Sequence, residues 1–283
     1  MRLKLILIML AGAAVAGCGG TSTQDTTASA ERIAAAFYPL AYAAEQVAPP
    51  GTEVDNLTPP GAEPHDLELT ARDVERVHSA NLVLLLGHGF QPQLEAAAGT
   101  GERVLRLLDT PGLRRHPNND PHVWLDPVRY SLIVRRIAAA LHRPRAADPL
   151  VAKLGALDRD YRRGLRTCAR REIVTSHEAF AYLGERYGLR QVAITGLSPE
   201  AEPTPKRLES VVRIVRQTGA TTVFFETLVS PRIADTVARE TGAKTAVLDP
   251  IEGLTSAAQK HGASYFTVMR SNLAHLRAAL GCS

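Results

Sequence analysis

The chain has little aromatic character: Phe, Tyr and Trp make up 5% of its 283 residues, and Trp124 is the single tryptophan. Set beside 45% hydrophobic residues, this is the composition of a globular protein of one or two domains. A strong charge of one sign is also missing. The formal net charge is +4 and the basic residues are scattered, so the footprint that nucleic-acid binding needs is absent. Long hydrophobic runs are lacking except at the start, "MRLKLILIMLAGAAVAGCGG", where Arg2 and Lys4 precede an apolar stretch too short to span a bilayer comfortably. A charged, then apolar, then small-residue pattern reads as an export signal over residues 1–17. Its removal takes away Arg2 and Lys4 and leaves a net charge of +2.

Cysteines are few, three in all. The first stands in "VAGC" at 15–18, which resembles the lipobox of bacterial lipoproteins; that implies cleavage before Cys18 and a lipid on its sulfur, with a plain secretory signal as the alternative. The polar, small "GGTSTQDTTASA" that follows suits a flexible tether over residues 18–30. Outside the cytoplasm the other two, Cys168 and Cys282, are expected to be joined, tying the chain's end to its middle; two buried free thiols are the alternative.

From Glu31 on, short apolar runs alternate with helix-length segments. "RIAAAFYPLAYAAEQVA" reads as strand then helix, "TEVDNL" as strand, and "NLVLLLG" as a buried strand by its unbroken apolar character. "TARDVERVHSA" reads as a helix that Thr70 caps with Asp73 three residues on. The second half repeats the alternation. "REIVTS", "QVAITGL", "TTVFFET" and "KTAVLD" are strands, separated by helices such as "TPKRLESVVRIVRQTG", with Thr204 as cap, Pro205 in the first turn and Gly219 at the stop. Alternation of this kind predicts an α/β protein with two lobes, at 31–127 and 168–283, each a parallel-type sheet flanked by helices. Residues 128–167 carry no strand-like run and no Gly/Ser linker. Their helical periodicity, broken by prolines around 144–149, predicts a stiff helical joint.

Close histidine pairs of the zinc-finger kind, and an HExxH motif, are lacking among the nine histidines. His78, His142, His261 and His275 read as surface residues, His116 as a loop residue, and His88 lies between glycines at a strand end. His65, His122 and His177 differ: each sits in a loop or at a strand's carboxyl end, as Asp249 does. Ligands of open α/β sheets bind at those ends. Two candidates come from each half, so a shared site would lie in the cleft between lobes, and imidazoles with a carboxylate form a zinc-type set. Taken singly, each histidine is as readily a capping or packing residue.

In order along the chain, "PHDLELTARD", "NDPHVWLDP", "VTSHEAFAYL", "GLSPEAEPTPKRL", "FFETLVSPR" and "VLDPIEGL" resemble the zinc and manganese solute-binding lipoproteins of ABC importers, the cluster A-I or ZnuA-like family. The resemblance implies two α/β lobes joined by a long helix with one metal ion between them. It implies His65, His122 and His177 as ligands, and Asp249 as the carboxylate that many members use, with water or Glu63 as alternatives for the fourth position. It also implies an extracytoplasmic lipoprotein, monomeric, that captures Zn²⁺ as transported ligand and delivers it to the importer's permease. At the third ligand the resemblance implies glutamate in manganese-type members and histidine in zinc-type ones. Histidine at 177 therefore favours zinc over Mn²⁺ or Fe²⁺, as borderline-soft zinc favours imidazole.

Pro121, Trp124 and Pro127 are expected to hold the His122 loop, with Asp120 or Asp126 hydrogen-bonded behind it, though Asp126-Pro127 equally reads as a helix start. Two departures from the family stand out. The long His- and acid-rich loop before the second ligand is reduced to "RRHPNND", and the helix after "ADP" is shorter by three turns, about 16 Å. A different class, an extracellular zinc hydrolase, fits three histidines with an open water position. It also needs a general base and a substrate pocket, for which there is no motif.

Overall fold

A computed structural model describes residues 31–283; the expected signal, Cys18 and the tether lie outside the described residues. The first sheet has β1 (Arg32–Ala35), β2 (Glu53–Asn56), β3 (Leu82–Leu85) and β4 (Val104–Arg106), all parallel, in the order β2-β1-β3-β4. Around it lie α1 (Tyr38–Val47), α2 (Ala71–Ser79) and α3 (Pro92–Ala98). Every residue of β3 is buried, the pattern expected of a strand covered on both faces. Thr70 caps α2 through the Asp73 backbone N–H, and Asp73 returns the bond, closing a capping box.

After α4 (Pro127–Ala140), a short 3-10 turn at Pro144–Ala147 and α5 (Asp148–Gly164), the second sheet repeats the first. Strands β5 (Glu172–Thr175), β6 (Arg190–Ala193), β7 (Thr222–Phe225) and β8 (Lys244–Val247) run parallel in the order β6-β5-β7-β8. Helices α6 (Ala181–Tyr187), α7 (Pro205–Thr218), α8 (Arg232–Thr241), α9 (Ser256–Lys260) and α10 (Tyr265–Leu280) complete it. Two strand orders of the same form bring two sets of carboxyl ends toward one cleft.

In sequence, α4 and α5 stand between the two sheets. Asp126 caps α4 through the Val128 and Arg129 N–H groups, and its carboxylate also pairs with Arg129 and Arg186. That occupies Asp126 as a helix start, leaving the bond behind His122 to Asp120. With 17 residues, α5 is about 25 Å long. One hydrophobic core runs from Ile33 and Phe37 through Trp124, Tyr130 and Tyr161 to Tyr265 and Leu280, and takes in residues of both sheets. A second, smaller core of Val174, Ile194, Val211, Val215, Val223 and Val237 lies beneath α7 and α8. Cys168 and Cys282 form a disulfide, flanked by the backbone bonds Ala169 N–H to Gly281 O and Ser283 N–H to Thr167 O.

Candidate metal centre

Four side chains meet in the cleft, each delivered by a loop at the carboxyl end of a sheet. His65 stands in a 3-10 turn, Pro64–Asp66, after β2. Glu63 caps that turn by accepting the His65 N–H, and Gln91 holds the Pro64 carbonyl at 3.1 Å. His122 precedes another 3-10 turn, Val123–Leu125. Both its backbone N–H and its ring Nδ1 face Asp120 Oδ1, at 2.8 and 2.7 Å. His177 follows β5; its carbonyl takes bonds from Thr175 and Gln191, and its Nδ1 faces Glu226 Oε1 at 2.8 Å. Ser176 donates to the same Glu226 oxygen at 2.6 Å.

With Nδ1 of both buried rings engaged by a carboxylate, each Nε2 is turned inward. The fourth side chain is Glu252, in the loop after β8. Its Oε1 lies 3.0 Å from His65 Nε2, 2.7 Å from His122 Nε2 and 3.6 Å from His177 Nε2. The His122 and His177 Nε2 atoms are 3.3 Å apart. All four ligand atoms fall within 4.8 Å of one another. A tetrahedral shell with zinc bonds of about 2.0–2.2 Å separates neighbouring donors by about 3.3 Å, so the set fits one ion after small shifts that open the shortest pairs and close the widest.

The electrostatics agree with that fit. Asp120, Glu226 and Glu252 are buried, and the second oxygen of each has no hydrogen-bond partner. Buried carboxylates of this kind call for positive charge. In the metal-free protein the rings supply it. Burial alone would pull His177 down, but Glu226 and Glu252 outweigh it and raise its pKa to about 10; His122 is raised against its burial by Asp120 and Glu252. Burial likewise pushes Glu252 up, and the bonds from the three rings overcome this and hold it well below the ordinary carboxylate range.

Asp249, expected as the carboxylate of the set, is not brought to it. Its Oδ1 accepts the Ile251 N–H at 2.7 Å, its Oδ2 accepts the Thr227 hydroxyl at 2.7 Å, and its backbone is clasped by the Asn272 amide. The chain leaves β8, passes Pro250 and reverses at Ile251, whose φ of 58° lies in the left-handed region, so residue 252 reaches the cleft. Both carboxylates stand in "VLDPIEGL", and only this reversal decides between them. Glu63 is near but outside the set. Burial and the adjacent Glu252 raise it to about 9, which keeps it protonated at neutral pH.

Sequence reasoning did not find Glu226, although "FFETLVSPR" contains it; its signal was its place at the end of β7 beside the strand that carries His177. Glu178, next to His177, faces away and accepts from Asn118. The other histidines stay out of the set: His88 pairs with Asp109, His78 with the Ala97 carbonyl, and His116 donates its N–H to Tyr182. His275 is half-buried rather than at the surface, because its Nδ1 reaches the Val247 carbonyl.

Two repeated α/β lobes thus enclose one buried cluster of histidines and a carboxylate, a metal-type pocket. The chain belongs to the ZnuA family, "Zinc-uptake complex component A periplasmic", whose model matches residues 33–279. It is 32% identical over 298 residues to the high-affinity zinc uptake system protein ZnuA of Bacillus subtilis, covering 94% of this chain and 93% of that one. It is 30% identical over 316 residues to the zinc-binding protein AdcA of Streptococcus pyogenes, of whose length it spans 61%. Among solved structures, the Zn(II)-bound ZnuA-like domain of Streptococcus pneumoniae AdcA superposes with a TM-score of 0.75 at 32% identity, covering 89% of this chain and 99% of that one.

Proposed function

We propose that the protein is an extracytoplasmic receptor that captures Zn²⁺ with His65, His122, His177 and Glu252 and hands it to the permease of an ABC importer. The observation that carries this reading is the convergence of three ring nitrogens and one carboxylate oxygen, from both lobes, within 4.8 Å. Imidazole-rich donation favours zinc over manganese, which prefers oxygen ligands. Four protein ligands close the shell, as in a binding site; a catalytic zinc keeps a position open for water. Membership of a family described as a zinc-uptake component supports a carrier as well.

His122 and His177 give up protons as zinc enters, and Asp120 and Glu226 hold the neutral rings with Nε2 toward the ion. A cavity of about 370 Å³, lined by His65, His88, Phe90, Asn119, Pro121 and Leu197, adjoins His65, the most exposed ligand of the four, and offers the way in and out. The "VAGC" motif supports a lipid anchor at Cys18, which would keep a monomeric receptor beside its permease.

The test is titration of the metal-stripped protein with Zn²⁺ and Mn²⁺, alongside His177→Ala. One tight zinc site per chain, far weaker manganese binding and a large loss on substitution are expected. Equal binding of the two metals, or an unaffected variant, would refute the reading.

A further inference from the structure

The proposed ligands belong to two lobes, and in the metal-free protein contacts between the lobes hold them together. Trp124 lies two residues after His122, its ring centroid 5.2 Å from the imidazole and 4.8 Å from Phe37. It is fully buried, and its indole N–H crosses the cleft to donate to the Pro250 carbonyl at 2.7 Å. Pro250 lies two residues before Glu252. One hydrogen bond thus joins the His122 segment to the Glu252 loop, beside the 2.7 Å approach of His122 Nε2 to Glu252 Oε1. The Trp124 carbonyl is held in turn by the Tyr265 hydroxyl at 2.7 Å.

The loop on the other side needs such support. Ile251 is β-branched, fully buried and in the left-handed region, a conformation that persists only when its surroundings impose it. Asp249 supplies one brace, through the Ile251 N–H, Thr227 and Asn272; the indole supplies the second, on Pro250. We infer that Trp124 is a positioning residue for the metal site: its indole N–H, bonded to Pro250 O, sets the separation of His122 and Glu252 and so the preference for a small tetrahedral ion. This rests on the zinc-receptor reading. Large core aromatics commonly contribute packing alone. The difference here is a polar bond between lobes that lies two residues from each of two proposed ligands, His122 and Glu252.

Because the chain has one tryptophan, the bond can be deleted at that residue alone with the fused two-ring shape nearly kept. Biosynthetic replacement of tryptophan by 3-benzothienylalanine puts sulfur in place of the N–H, and Trp124→Phe is the coarser variant. Zn²⁺ and Mn²⁺ affinities of the full chain, and the absorption spectrum of its Co²⁺ complex, are the readouts. Loss of one supporting bond behind ligands is expected to weaken zinc by about 10- to 100-fold, with less effect on manganese and a shift of the Co²⁺ bands away from the tetrahedral pattern. A purely structural role would lower the melting temperature and leave the zinc-to-manganese ratio and the Co²⁺ spectrum as they were. That result in the sulfur-substituted protein would overturn the inference. Should the unsubstituted protein itself bind neither zinc nor cobalt, the receptor reading would fall, a separate outcome.

Discussion

Glu252 and Asp249 are three positions apart and do different work. Glu252 faces all three rings; Asp249 holds the backbone that presents it. Replacing Glu252 by Ala is expected to cost about 2–5 kcal/mol of zinc binding, the range for removing one member of a buried charge pair. Replacing Asp249 by Asn, which keeps an acceptor for the Ile251 N–H, should cost much less, and calorimetric titration of both variants checks the order. The rings make binding depend on pH. His177 holds its proton until about pH 10 in the metal-free protein, so zinc must displace it, and zinc affinity should rise with pH through neutrality toward that value. Stability of the metal-free fold runs the other way. The His177 pKa is raised from 6.5, so the contribution of its ion pairs is present in full below about pH 6.5 and is lost as pH approaches 10. Melting curves in chelator across this window would reveal the loss.

The disulfide acts on α10. It ties Cys282, just past the helix end, to Cys168, across a sequence separation of 114. The loop-entropy account gives a cross-link of this span about 4–5 kcal/mol. Reduction, or Cys282→Ser, should therefore lower the melting temperature by on the order of 10 °C at this size, as thermal unfolding with and without reductant would register. α10 also bears on the site from a distance, because Tyr161 holds the Met269 carbonyl and Asn272 clasps Asp249. The helices themselves were readable, since caps and stops are local: Thr70 with Asp73, Thr204 with Pro205, and Gly219 perform as the pattern predicts. By contrast, β4 and the 3-10 turns escaped the reading because three or four residues are too few to show a period.

One core passes through both lobes, with Trp124, Tyr130, Tyr161 and Tyr265 at its centre. Unfolding by heat should accordingly be a single cooperative transition, seen as coincident curves by near- and far-ultraviolet circular dichroism. Zinc should move it upward by mass action, by about 4 kcal/mol at a thousandfold excess over the dissociation constant. Lobe movement between metal-free and zinc-loaded protein should be small, since the shared core and the Trp124 bond already join the halves. Small-angle scattering that gave the same radius of gyration for both states would bear this out.

The alternation of strands and helices, the two parallel sheets and the placing of three histidines at loop ends were legible from periodicity, capping residues and motif resemblance, because each is written in a few neighbouring residues. Cys168 and Cys282 could be paired on compartment and count alone. The carboxylate could not be chosen that way. "VLDPIEGL" offers two, and the choice depends on Ile251 turning left-handed under braces from Thr227, Asn272 and Trp124, residues remote in sequence. The same holds for the carboxylates behind the rings: Asp120 is two residues from His122 and could be suspected, whereas Glu226 is 49 residues from His177 and meets it only because β5 and β7 are neighbours in the sheet. Local chemistry settles which residues can bind; contacts between distant segments decide which of them do, because a donor's direction depends on everything packed behind it.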